Sequence, residues 1–115
     1  MTDTITISVD AMGGDNAPRA VIHGAHLALR ERKNTRFVFH GIKDQIEPLL
    51  EEFPALKAVS VVRHCDVVIA MDEKPSQALR KGKGTSSMWM AIQSVKDGEA
   101  DVAVSGGNTG ALMAM

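Results

Sequence analysis

The apolar run Ile5-Thr-Ile-Ser-Val9 passes directly into Asp10-Ala-Met-Gly-Gly-Asp15, and Asn16-Ala17-Pro18 then opens a stretch of helical periodicity. This strand, glycine turn and helix start constrain the fold more than any other feature of the chain. Gly13 and Gly14 can take positive φ or let a ligand approach the backbone, and the N–H groups of a helix's first turn have no partner within the helix. Such a junction suits an anion. The plain alternative is a tight connection that binds nothing. The turn is not a dinucleotide fingerprint, since G-x-G-x-x-G is absent, and not a P-loop, since no Gly-Lys-Ser/Thr follows at the required spacing.

The same alternation recurs downstream. A strand over residues 4–10 leads to a helix over 17–32, with Asn16 as cap, Pro18 in the first turn, and Val21, Ile22, Ala25, Ala28 and Leu29 on one face. Arg36-Phe-Val-Phe-His40 predicts a second strand. After Gly41, Asp44-Gln-Ile-Glu47 predicts a capping box for a helix that buries Ile46, Leu49, Leu50 and Phe53. Residues 59–62 form a third strand, and 66–70 a fourth or an extended connection. Ser87 caps a helix with Met88, Ala91, Ile92 and Val95 at helical spacing, stopped by Lys96 and Gly98, and residues 101–105 form the last strand. Strands and helices alternating at intervals of about 20 to 35 residues are the pattern of βαβ units, so the fold class is α/β, layered around a mostly parallel sheet.

A chain of 115 residues supports one domain, a single α/β unit over residues 1–115. Hydrophobic content of 44%, charged content of 23% and a net charge of -1 suit a folded protein and lack the basic surplus of nucleic-acid binding. Cys65 has no second cysteine to pair with, no N-terminal segment reads as a signal peptide, and no apolar run approaches the ~18 residues of a membrane span. A cytoplasmic location is the expectation. The chain ends on Ala111-Leu-Met-Ala-Met115, a helix start without a charged last turn or terminal glycine. It is therefore expected to be the N-terminal piece of a longer protein.

In an open parallel sheet, ligands bind outside the carboxyl ends of the strands, where both the Asp10 turn and Ser105-Gly-Gly-Asn-Thr-Gly110 lie. Between them, Glu73-Lys-Pro-Ser-Gln-Ala-Leu-Arg-Lys-Gly-Lys-Gly-Thr-Ser-Ser87 places Lys74, Arg80, Lys81 and Lys83 within ten residues, followed by hydroxyls at a helix start. Cations, glycines that let the backbone approach a ligand and a helix N-terminus together suit phosphate. Taken singly, each segment has a structural reading, as a solvated basic loop or a glycine turn. Their convergence in one small α/β domain favours a shared crevice.

The other candidates read as structural. Adjacent residues on an extended chain face opposite ways, so His64 and Cys65 make a poor nucleophile pair, and Cys65 reads as a partly buried small residue. His23 and His26, at i and i+3, could share a metal, but no further ligands are apparent and a solvent-facing pair is expected. Met88 belongs to the core stripe, beside Trp89 and Met90. No stretch carries the two carboxylates of a glycosidase or a Ser-His-Asp triad.

Read together, Val9-Asp-Ala-Met-Gly-Gly-Asp15 with Ala17-Pro18, Lys74-Pro-Ser-Gln-Ala-Leu-Arg80 with Lys83 and Thr85-Ser-Ser-Met88, and Gly98-Glu-Ala-Asp101 leading to Ser105-Gly-Gly-Asn-Thr-Gly-Ala-Leu112 resemble the acyl-acyl carrier protein:phosphate acyltransferases of bacterial phospholipid synthesis, the PlsX family. The segments occur in the family's order and spacing across essentially the whole chain, with Gly106 where family members often carry alanine. The family's proteins are about three times longer. The resemblance implies a three-layer α/β fold similar to isocitrate and isopropylmalate dehydrogenases and phosphotransacetylases, a homodimer, and no cofactor or metal. It implies a reaction in which inorganic phosphate attacks the thioester of acyl-acyl carrier protein, giving acyl phosphate for the first acylation of glycerol 3-phosphate. Peripheral association with the inner face of the membrane is attributed to parts beyond residue 115.

On this basis Lys74, Arg80, Lys83 and Asn108 are the catalytic candidates. Asp10, Gly13, Gly14, Asp15, Ser76, Ser86, Ser87, Gly107, Thr109 and Gly110 are the candidates for holding phosphate or substrate. Phosphate is itself the nucleophile, and a thiol of pKa about 8.5 leaves with little acid help, so the site must hold an anion near a carbonyl and stabilise an oxyanion. Two rivals stand beside this reading. One is a dehydrogenase or coenzyme A-dependent acetyltransferase of the same broad fold; the other is a non-catalytic module that binds phosphate or carrier protein.

Overall fold

The computed structural model describes residues 4–12, 17–65 and 87–105. Among these described residues eight elements follow in order: β1 (Ile5–Asp10), α1 (Arg19–Glu31), β2 (Thr35–Gly41), α2 (Lys43–Leu50), α3 (Pro54–Ala58), β3 (Ser60–His64), α4 (Ser87–Lys96) and β4 (Val102–Ser105). The four strands form one all-parallel sheet in the order β3-β2-β1-β4. The connections from β1 to β2 to β3 step in one direction. The chain then crosses back over the sheet to set β4 on the far side of β1. The strand order thus reverses between β1 and β4, which makes their carboxyl ends the switch point of the sheet.

Strand alternation assigns the two faces. Val9 and Ala11 of the first strand segment and Phe37 and Phe39 of β2 point to one side, where Ile22, Ala25 and Leu29 of α1, Ile46, Leu49 and Leu50 of α2 and Leu56 of α3 cover them in one apolar core. Phe37 and Phe39 stack with centroids 5.6 Å apart. Ser8, Asp10, Val38 and His40 point to the other side, under α4. The molecule is therefore helix, sheet, helix in three layers, the α/β architecture expected from the alternation.

Local details depart from the sequence reading for identifiable reasons. Helix α1 begins at Arg19 with Pro18 in the cap position, and Ala28 is exposed while Ile22, Ala25 and Leu29 are buried. The capping box at Asp44 does not form. Helix α2 starts one residue earlier, Ile42 is its N-cap, and no side chain caps it. Pro48 sits inside α2 and Pro54 opens the short α3, which the sequence pattern did not separate from the loop. Gly98 stops α4 with φ at +78°, the left-handed geometry expected of a helix stop. Asp101 ties β4 to β1 twice, its N–H donating to the Thr6 carbonyl at 2.8 Å and its carboxylate accepting from the Thr6 N–H at 2.8 Å. The possible strand at 66–70 and the helix start at 111–115 lie outside the described residues.

His23 is exposed, but His26 is half-buried with its ring stacked on Phe53 at 4.4 Å, so the expected solvent-facing pair is instead an aromatic cluster. Cys65 is buried and its N–H continues the ladder to the Gly41 carbonyl at 2.8 Å. His64 faces elsewhere, its Nδ1 accepting from the Lys43 N–H at 3.1 Å. Among the described residues no helix is long and apolar enough to cross a membrane.

Candidate functional site

Asp10 is the last residue of β1, and its register partners are His40 on β2 and Ser105 on β4. All three lie at the carboxyl ends of adjacent strands, at the switch point. Asp10 is 2% exposed, so its carboxylate must find donors within the protein. Oδ1 accepts from the Ser87 hydroxyl at 2.5 Å and from the Met12 N–H at 3.2 Å, and Oδ2 accepts from the Ser105 hydroxyl at 2.8 Å. The Ser87 contact is the shortest of the three.

Directly beneath this clasp lies a second polar cluster. The Ser8 hydroxyl donates to the Ala91 carbonyl of α4 at 2.8 Å. A hydroxyl has one proton, so towards His40 the Ser8 oxygen is an acceptor, and His40 Nε2, 3.1 Å away, carries the ring proton. Ser94 of α4 is 3.0 Å from the same nitrogen. His40 Nδ1 is buried without a hydrogen-bond partner among the described residues. Burial and the Arg63 guanidinium push His40 down to about 4, against a smaller upward pull from Glu99, which forms an ion pair with Arg63. The ring is therefore neutral near pH 7.

Ser87, Ala91 and Ser94 recur every three to four residues and share the sheet-facing side of α4. Ser8, Asp10 and His40 answer them from the sheet. A parallel sheet covered on both faces ordinarily presents apolar side chains to its helices. Here the face under α4 is largely hydroxyl, carboxylate and imidazole, and it leads up to the switch point. Met88, fully buried at the first turn of α4, supplies the apolar part of the seat.

Of the sequence-derived site residues, the structure brings together Asp10 and Ser87, and adds Ser105, the residue that precedes the second glycine turn. Lys74, Ser76, Arg80, Lys83 and Ser86 lie outside the described residues. So do Gly13, Gly14 and Asp15, and Gly107, Asn108, Thr109 and Gly110. Ser8, His40 and Ser94 were not singled out from the sequence. Their signal was present in part: Thr6, Ser8 and Asp10 alternate with Ile5, Ile7 and Val9 along a strand that parallel pairing should bury on both faces.

Comparison with known proteins agrees with this architecture. A family model described as fatty acid synthesis protein matches residues 5–115. A phosphate acyltransferase of Beijerinckia indica subsp. indica is 57% identical over 115 residues, covering 100% of this chain and 30% of that protein. Phosphate acyltransferases of Rhizobium leguminosarum bv. trifolii, 57% identical over 111 residues, and Bradyrhizobium diazoefficiens, 56% identical over 115 residues, are matched over 96% and 100% of this chain and 32% and 33% of their own length. The chain thus spans about a third of these relatives. A match of this extent, on a sheet whose switch point carries the Asp10 signature, leaves one assignment: the chain belongs to the fatty acid synthesis protein family.

Proposed function

We propose that this chain is the N-terminal third of an enzyme that moves an acyl group from acyl-acyl carrier protein to inorganic phosphate, releasing acyl phosphate for phospholipid synthesis. The observation that carries the reading is the 57% identity to proteins named phosphate acyltransferase, together with the clasp of Asp10, Ser87 and Ser105 at the switch point. The crevice outside these carboxyl ends is where phosphate would sit, with Lys74, Arg80 and Lys83 supplying positive charge. Backbone N–H groups at Gly13, Gly14, Gly107 and Gly110 add donors, and Asn108 and Thr109 orient phosphate or thioester.

In the transfer, a phosphate oxygen attacks the thioester carbon, the new C–O bond forms, and the C–S bond breaks. The proton of hydrogen phosphate ends on the departing thiol, so atoms and charge balance without a covalent enzyme intermediate. Holding the dianion beside the carbonyl turns a bimolecular encounter into an oriented one, the larger part of what such a site must do. Homodimerisation and a cytoplasmic site of action, in contact with the inner membrane face, complete the proposal.

The test is steady-state kinetics of the complete enzyme with phosphate varied. Neutralising Lys83 or Arg80 to alanine raises the KM for phosphate by about tenfold or more, the scale of a lost charge-assisted contact. An unchanged phosphate dependence in both variants overturns the assignment. Offering acyl-carrier protein and acyl-coenzyme A side by side separates this reading from an acetyltransferase of related fold. The 115-residue chain alone is expected to show no turnover.

A further inference from the structure

Among the described residues, most lysines and arginines are engaged. Arg19, Lys43, Lys57 and Arg63 form ion pairs with glutamates, and Lys96 lies over the Trp89 ring. The rest are Arg30, Arg32, Lys33 and Arg36, all exposed and none paired with a carboxylate among the described residues. They fall together, at the end of α1 and the start of β2. Thr35 is the register partner of Ile5 and His40 that of Asp10, so this cluster stands at the amino ends of the strands, about 17 Å along β1 from the switch point. Two half-exposed aliphatic side chains flank it: Leu27 lines a surface hollow with Arg30, and Val61 lines another with Arg36. We infer that this amino end is a docking surface for an anionic lipid bilayer, held through Arg30, Arg32, Lys33 and Arg36. The inference goes beyond the transfer reading above and does not rest on it.

Four like charges within seven residues repel one another, and Glu31 is the one carboxylate in their stretch. Asp97 and Asp101, in the stretch leading into β4, are already engaged by the Gln93 amide and the Thr6 N–H. An anionic surface supplies the missing counter-charge, and its field extends only about a Debye length, so the cations must come into contact with it. The shape of the cluster favours a bilayer over a protein groove. Leu27 belongs to the α1 layer, whereas Val61, paired with Val38, faces the opposite side of the sheet. Cations and aliphatic groups therefore spread across the whole amino end rather than lining a cleft. Arginine and lysine stems adapt to a broad surface while their charged heads meet lipid phosphates, and aliphatic side chains beside them can enter the acyl boundary. Docked in this way, the chain turns the carboxyl ends of its strands away from the bilayer.

Co-sedimentation of the complete protein with vesicles tests the surface, using equal parts of phosphatidylcholine and phosphatidylglycerol against phosphatidylcholine alone. At low salt the wild type is expected to prefer the anionic vesicles, and high salt to abolish the preference. Combining Arg30→Gln, Arg32→Gln, Lys33→Gln and Arg36→Gln weakens binding to anionic vesicles by about a hundredfold or more, since each cation at such a surface contributes about fivefold. Combining Arg19→Gln, Lys43→Gln, Lys57→Gln and Arg63→Gln removes the same formal charge from paired positions and changes binding by less than about fivefold. Arg30→Lys with Arg32→Lys and Arg36→Lys, which keeps every charge, stays within about twofold of wild type. A wild type with no preference for anionic vesicles overturns the inference. So do equal losses in the two glutamine sets, which would make net charge the cause, and a loss in the lysine set as large as in the first. A first set that keeps vesicle binding but raises the KM for acyl-acyl carrier protein overturns it in favour of an acidic protein surface. Transfer to phosphate is assayed separately, without vesicles. A protein that binds anionic vesicles yet transfers no acyl group sinks the transfer reading and leaves the docking surface standing.

Discussion

His40 illustrates how a single residue can be decided by its surroundings. On paper it ends a short apolar run; in the fold it is fully buried, its Nε2–H shared between Ser8 and Ser94 and its Nδ1 without a hydrogen-bond partner among the described residues. Burial holds the folded ring neutral down to about pH 4, whereas the unfolded ring takes up a proton from about 6.5. Between those values the unfolded state binds more protons, so this contribution to stability is complete above pH 6.5 and is lost as pH falls towards 4. Thermal melts should therefore show the wild type losing several degrees between pH 7 and pH 5 relative to His40→Gln, which cannot titrate. Parallel curves for the two proteins would remove His40 as the cause. Gly41 is a second residue set by context, since a Cβ there would lie 2.7 Å from Cγ of Met12 and 3.0 Å from Cδ1 of Ile46. Gly41→Ala is expected to cost about 1–3 kcal/mol, read by chemical denaturation, with displacement of Met12 beside Asp10.

Among the elements, α4 is the one whose seat departs from convention. Its sheet-facing side meets the sheet through Ser87 on Asp10, the Ala91 carbonyl on Ser8, and Ser94 on His40. Such contacts are directional, so they specify where the helix sits along its axis more sharply than apolar packing alone. Ser94→Ala removes one of these contacts and is expected to cost about 1 kcal/mol, while Ser8→Ala, which strips a partner from both the Ala91 carbonyl and His40, costs about 2. Denaturant midpoints that do not move in either variant would show that the seat contributes nothing. The end of α4 is simpler: Gly98 sits at φ +78° with open space around it, so Gly98→Ala is limited to backbone strain of about 1 kcal/mol. The stripes Ile22, Ala25, Leu29 and Ile46, Leu49, Leu50 were legible because a 3.6-residue period needs no tertiary information. The capping box was not realised, because α2 starts at Lys43, one residue before Asp44, with Ile42 in extended geometry as its N-cap.

For the whole molecule, the two faces of one sheet carry different work. Phe39, fully buried between β2 and the α1–α2 layer, is expected to cost about 3–5 kcal/mol when truncated to alanine. Val104, half exposed on the edge strand β4, should tolerate threonine within about 0.5 kcal/mol in the 115-residue chain. Equal losses in the two variants would contradict the placement of the core. The sequence by itself determined the α/β class, the parallel alternation, the helix faces and the family resemblance. All of these are local patterns or ordered strings of residues, readable because strand and helix periods and turn chemistry act over a few positions. Only the tertiary structure decided that β4 returns to the side of β1, that Asp10 meets hydroxyls 77 and 95 residues away, and that Ser8, His40 and Ser94 form one buried cluster. Those contacts join residues that no period or spacing relates. They exist because crossing back over the sheet brings α4 and β4 onto β1, and burial then obliges each polar group there to find a partner.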